Sequence, residues 1–180
     1  RIFEMVGFAK DSALLQSITI GITLLISVMV GMSLIDKVGR KRLLLVGSVG
    51  MFFFLSMVAA TFYTKAEGGF FTLFYLVGFI AFFGMSAGTV IWVYIAEIFP
   101  NSVRAEGQTL GSLTHWAMAA MISWLFPVIV EGHAFGGGIA FTLFAVSMIF
   151  MFFTVLKVFP ETKGKSLEEI QKEFIHNDSE

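Results

Sequence analysis

The sequence predicts an all-α integral membrane protein with five transmembrane helices and a short cytoplasmic amphipathic helix. Three observations carry this reading. Hydrophobic residues make up 57% of the chain and charged residues 14%, with a mean hydropathy of +0.85, whereas soluble domains are about 25% charged. The charges are also segregated. Stretches 12–35, 43–64, 68–96, 107–130 and 132–156 contain no Asp, Glu, Lys or Arg, and each exceeds the roughly 20 residues a helix needs to cross a hydrocarbon core of about 30 Å. Finally, Asp36-Lys37-Val38-Gly39-Arg40-Lys41-Arg42 packs five charges into seven residues between two apolar runs, the pattern of a short loop at a water interface.

Several classes are excluded. The net charge of −1 comes without a basic patch, so no nucleic-acid partner is expected. The absence of cysteine rules out disulfides and thiolate metal sites. No HExxH pair, Ser or Asp nucleophile motif or second intramembrane acid is present, so no enzyme, metal site or cofactor is predicted. The chain opens on Arg1-Ile2-Phe3-Glu4, with neither an initiator Met nor a signal-peptide pattern. It reads as the continuation of a longer polypeptide.

The elements follow in order. Residues 1–11 form an outer segment, and the spans are expected at about 12–35, 43–64, 68–96, 104–130 and 134–159. They must be helices, because lipid offers no partner for free backbone groups. Ser12 suits an N-cap for the first. Pro100 stops the third, the fourth starts near Asn101 or Ser102, and Pro160 ends the fifth. In the tail, 160–180, Ser166-Leu167-Glu168-Glu169 reads as a capping box, and Leu167, Ile170 and Phe174 share one face of a short helix. Segments 1–11, 65–67 and Glu131 lie on one side and carry three Lys or Arg, while 36–42, 97–106 and 157–180 carry nine. The positive-inside rule puts the second set in the cytoplasm. Residue 1 is then outside and residue 180 cytoplasmic, in a multi-pass protein of the plasma or bacterial inner membrane.

Some faces are not lipid-like. In the fourth span Gln108, Ser112, His115, Trp116, Ala119 and Ser123 recur at steps of three and four and share a face. Such a face meets a partner helix or a water-filled cavity. Interhelical hydrogen bonding serves for Ser112 and Ser123, and a cavity suits His115-Trp116 better. Gly84, Gly88 and Trp92 align in the third span. Their spacing fits close helix packing, and equally a sugar site, where glycine lets a ligand approach the backbone and an indole stacks on a pyranose. Gln16, Thr19, Thr23 and Ser27 align in the first span, for a cavity or for packing. The runs Phe52–Phe54 and Phe150–Phe153 read as lipid-facing filler.

Two charges sit at unfavourable helix ends. Glu97 closes the third span and Arg104 opens the fourth, each at a cost of about 0.3–1 kcal/mol against the helix dipole. Solvation at the interface is one answer. Pairing with each other or with Asp36–Arg42 is the other, and such pairs form in one conformation and break in another, as a gate requires.

Asp36-Lys37-Val38-Gly39-Arg40-Lys41-Arg42 resembles the D-x-x-G-R-R/K signature of the major facilitator superfamily. Glu97-Ile98-Phe99-Pro100-Asn101-Ser102-Val103-Arg104 resembles the E-x-F-P-x-x-x-R element of its sugar porter family, and Pro160-Glu161-Thr162-Lys163-Gly164 the P-E-T-K-G motif. The resemblance implies spans eight to twelve of a C-terminal bundle, with the N-terminal bundle as partner. It implies transport of a monosaccharide or polyol by alternating access, with the proton as coupling ion. Alternatives are a passive facilitator, or a non-transporting sugar sensor, which the short tail disfavours. By the same resemblance Gly88, Trp92, His115 and Trp116 face substrate. Asp36, Gly39, Arg40, Glu97, Arg104 and Glu161 form a cytoplasmic charge network that stabilises the outward-open state.

Three positions depart from the family's pattern. Ser86-Ala87-Gly88-Thr89-Val90-Ile91 replaces a Pro-rich stretch, which predicts a less broken helix. Leu24 stands where the family has Asn, with Thr23 about 100° away around the helix. His115 stands where an amide is common. Together they imply an altered substrate preference rather than loss of transport.

Overall fold

The computed structural model describes residues 10–65, 70–132 and 136–164. The capping box at Ser166–Glu169 and the Leu167, Ile170, Phe174 face lie outside the described residues, as does most of segment 1–11. The described residues form α1 (Lys10–Val38), α2 (Arg40–Tyr63), α3 (Phe70–Met85), α4 (Ala87–Ile98), α5 (Arg104–Gly132) and α6 (Gly136–Val158). Five stretches are long and apolar enough to span a membrane, with α3 and α4 together making one of them, Phe70–Ile98.

Helices α2 and α3 are central. They pack on each other, with α6 against α2 and α1 against α3, while α5 touches only α4 and α6 among the described elements. Near the outer end, Leu55, Val58 and Phe62 of α2 pack with Leu76 of α3 and Phe141 of α6. Near the inner end, Ile35, Leu44, Met51, Val90 and Val155 join α1, α2, α4 and α6. Such all-round apolar helices pack through small residues, because lipid gives no hydrophobic force between them. A Cβ at Gly84 would lie 2.7 Å from Ser27 Cβ, so Gly84 serves the α1–α3 contact. Ser27 is buried in that interface, and Gln16 of α1 is buried as well. The hydroxyls of Thr19, Thr23 and Ser27 each donate to the carbonyl four residues earlier. Phe54 is not filler: a Cβ on Gly78 would lie 2.4 Å from its ring, and it contacts Phe74 and Phe82 edge-on and tilted.

Two junctions differ from expectation. The charged segment Asp36–Arg42 is not a loop: α1 continues to Val38, α2 begins at Arg40, and Gly39 alone lies between. Its φ of 101° and ψ of 154° belong to a region that only glycine enters cheaply. The first helix is already formed at Lys10, so Ser12 lies inside it rather than capping it.

The third span is broken despite having no proline. Ser86, at φ −116° and ψ −97°, separates α3 from α4. Its hydroxyl donates to Phe82 O at 2.5 Å, and Thr89 Oγ1 donates to Gly84 O at 2.7 Å. Phe82 O also keeps the backbone N–H of Ser86 at 3.2 Å, so it is Thr89 that supplies a hydroxyl to a carbonyl beside the break, as Ser and Thr do at kinks. The Ser86 side chain seats against α2 where Gly47 has no Cβ.

Candidate functional site

Two groups of predicted residues sit at different depths along α4. The inner group is built on helix ends. Arg40, the first residue of α2, donates from Nε to Glu97 Oε2 at 3.0 Å and from Nη2 to Glu97 Oε1 at 2.7 Å. This is the bidentate fork that guanidinium and carboxylate favour. Its Nη1 reaches Asp36 Oδ1 at 2.9 Å and Ile35 O at 3.2 Å. The Arg40 side chain is 11% exposed, Glu97 28% and Asp36 78%. Glu97 therefore resolves its unfavourable helix end by pairing with α2, while Asp36 contributes from the water side.

The segment after α6 completes the cluster. Glu161 Oε1 accepts from the Arg40 backbone N–H at 2.8 Å, capping α2 where the helix dipole favours an anion. A Cβ at Gly39 would lie 2.5 Å from Glu161 Oε2, so Gly39 supplies both the turn and the space. The Thr162 hydroxyl donates to Glu97 Oε2 at 2.7 Å. The Lys163 ammonium donates to Lys37 O, one of the open carbonyls ending α1. Three consecutive residues thus hold α2, α4 and α1. Tyr94 of α4 adds a bond to Pro160 O at 3.3 Å and stacks on Phe159 at 4.7 Å.

Arg104 does not join this network. Among the described residues it makes no ion pair; its Nε donates to Phe99 O at 3.5 Å, across the turn that joins α4 to α5. It lines a cavity of ≈860 Å³ with Asp36, Arg40, Glu97, Trp92 and Lys163. Thr162 and Lys163 were legible as part of the P-E-T-K-G match. The resemblance implies a network role for its acid alone, and a hydroxyl or a lysine that contacts backbone gives no pairing signal of its own in the sequence.

The second group is aromatic. Trp92 of α4 lies about 7.5 Å of helix rise from Glu97. Its ring meets His115 of α5 at a centroid distance of 5.0 Å and 68°. His115 meets Trp116 at 5.4 Å and 84°. Trp92 is 42% and Trp116 65% exposed. Gly88 is half-buried one turn before Trp92, with Phe83 beside it. Gln108, Ser112 and Ala119 are half-buried, whereas Ser123 is exposed and bonds back to Ala119 O. Trp124 stands apart at 84% exposed. In α1, Leu24 packs at Gly84 and offers no polar atom.

Residues 1–174 match the family described as "Sugar (and other) transporter". The chain is 36% identical to the arabinose-proton symporter of Bacillus subtilis, over 97% of this chain and 37% of that protein. It is 35% identical to the glucose facilitated diffusion protein of Zymomonas mobilis, over 96% of this chain and 37% of that protein. The chain thus spans little more than a third of the curated relatives it matches. Among solved structures, the proton:xylose symporter XylE bound to 6-bromo-6-deoxy-D-glucose gives a TM-score of 0.85 at 32% identity, over 95% of this chain and 37% of that one. The inward-open conformation of the xylose transporter XylE from E. coli gives 0.76 at 31% identity, over 95% and 39%. With five apolar helices and motif residues gathered at their inner ends, the chain belongs to the sugar transporter family and is a multi-pass membrane protein.

Proposed function

We propose that these spans serve a carrier that moves a monosaccharide or polyol across the membrane by alternating access, coupled to a proton. One observation carries the reading: α4 bears both an aromatic sugar seat, Trp92 beside His115 and Trp116, and the Arg40–Glu97 pair. The same short helix, set off from α3 at Ser86, thereby links substrate contact to a breakable ionic closure. The seat would hold one face of the sugar, with Gly88 letting it approach the backbone. Asp36, Gly39, Arg40, Glu97 and Glu161, held by Thr162 and Lys163, would close the cytoplasmic mouth. Arg104 would line the same mouth from the cavity wall, without an ion pair among the described residues. Residues 157–164 would face the cytoplasm. These spans alone would not transport, because they hold only one wall of the site.

Passive facilitation is the second reading, favoured by the likeness to the glucose facilitated diffusion protein. The test is sugar-triggered pH change. De-energised, weakly buffered cells making the full-length carrier are challenged with pentoses, hexoses and inositols. External alkalinisation with one sugar supports symport and names its class. Equilibration of labelled sugar without a pH change selects the facilitator. Movement of no sugar rejects both.

A further inference from the structure

Helices α4 and α5 run antiparallel and meet in a regular ladder. A Cβ at Gly107 would lie 2.3 Å from the Phe99 ring, and one at Gly111 3.0 Å from Ile95 Cγ2. The next rung is Trp92 against His115. The same spacing puts Gly88 opposite Ala119, so neither helix presents a bulky side chain at the rung above. The helices touch through glycines below, and a ring pair occupies the rung above them. Trp92 has Gly88 one turn before it, so that turn of α4 offers its indole no side chain. The ring that meets it is His115, which also meets Trp116. Both contacts are edge-on, the arrangement aromatic pairs prefer, and each fixes ring angle as well as distance.

We propose that His115 is a positioning residue whose imidazole wedges between two indoles on different helices and sets the angle at which they meet a pyranose ring. It acts through Trp92 and Trp116 rather than by hydrogen bonding a sugar hydroxyl. This rests on the sugar-transport reading. A ring at position 115 is then required, and an amide of similar polarity is not a substitute.

Two substitutions separate the wedge from direct bonding, because each keeps one property of histidine. In the full-length carrier, His115→Phe keeps the ring and loses the hydrogen bond, while His115→Gln does the reverse. The expected result is a KM raised about three- to tenfold in His115→Gln and distinctly less in His115→Phe. The opposite pattern, affinity kept by Gln and lost by Phe, would overturn the proposal, and so would equal behaviour of the two. Time-resolved tryptophan anisotropy of the sugar-free carrier gives a second readout that needs no transport. His115→Gln should free indole motion relative to wild type, and unchanged anisotropy would also overturn the proposal. A wild type that moves no sugar would sink the transport reading, and the anisotropy would still decide whether the wedge exists.

Discussion

The inner charge cluster and the aromatic seat lie about one and a half turns apart along α4, yet one is closed and the other open. At the inner end every nitrogen of the Arg40 guanidinium is engaged, Glu97 is held by two partners, and Glu161 caps α2. In the seat both indoles are exposed, and apart from Gly107 no described residue of α5 is buried. The inner closure is complete within these residues because helix ends bring unpaired N–H and C=O groups together with charges, and the two satisfy each other locally. An aligned polar and aromatic helix face in a membrane calls for a second surface; under the proposed function the seat would be one wall of a site, completed from outside these residues.

The sharpest way to break the closed region is Arg40→Ala. It strands Glu97 half-buried and should cost about 2–4 kcal/mol, toward the lower end of partly buried pair deletions because Glu97 keeps some water. Thermal unfolding of the detergent-solubilised carrier would measure it, and a loss below 1 kcal/mol (about the worth of an exposed pair) would show that the pair is not a closure. Gly39→Ala comes next. The backbone alone should cost about 1–3 kcal/mol, and the new Cβ displaces Glu161, so the mutant should also behave like Glu161→Ala when the two are combined. Additive losses in that double-mutant cycle would contradict the shared geometry.

Glu161→Gln keeps the shape of the cap and removes its charge at the α2 N-terminus. A loss of about 0.3–1 kcal/mol is expected. The smallest effect belongs to Asp36→Asn. Despite its place in the D-x-x-G-R motif, Asp36 is 78% exposed, and its pair with Arg40 should contribute about 0–1 kcal/mol and vanish at high salt. A large, salt-insensitive loss would mean that Asp36 has a buried partner elsewhere in the carrier.

Much of this was legible in the sequence. Charge segregation predicts the five apolar helices, because long charge-free runs have one stable form in lipid. The motif residues Arg40, Glu97 and Glu161 do converge, since each sits at a helix end and the ends share one depth. The Ser86 break was not legible from proline counting. The break is accommodated by the Thr89 hydroxyl on Gly84 O and by a glycine notch on α2 that seats Ser86, features that no single helix displays. Arg104 and Glu97 share the feature of an unfavourable helix end and the motif resemblance, but the intervening turn aims the guanidinium at Phe99 O and the cavity instead. Lys163 was invisible to charge pairing because its partner is a backbone carbonyl.

The central claim is that the aromatic seat holds a sugar, and equilibrium binding tests it most directly. Isothermal titration of the purified full-length carrier would be run with a pentose, hexose and inositol panel, on wild type and Trp92→Ala. The account predicts saturable binding of at least one sugar, weakened about tenfold or more in the mutant, as expected when a central aromatic anchor is removed. Binding of equal strength in both proteins, or no binding of any sugar by wild type, would contradict it.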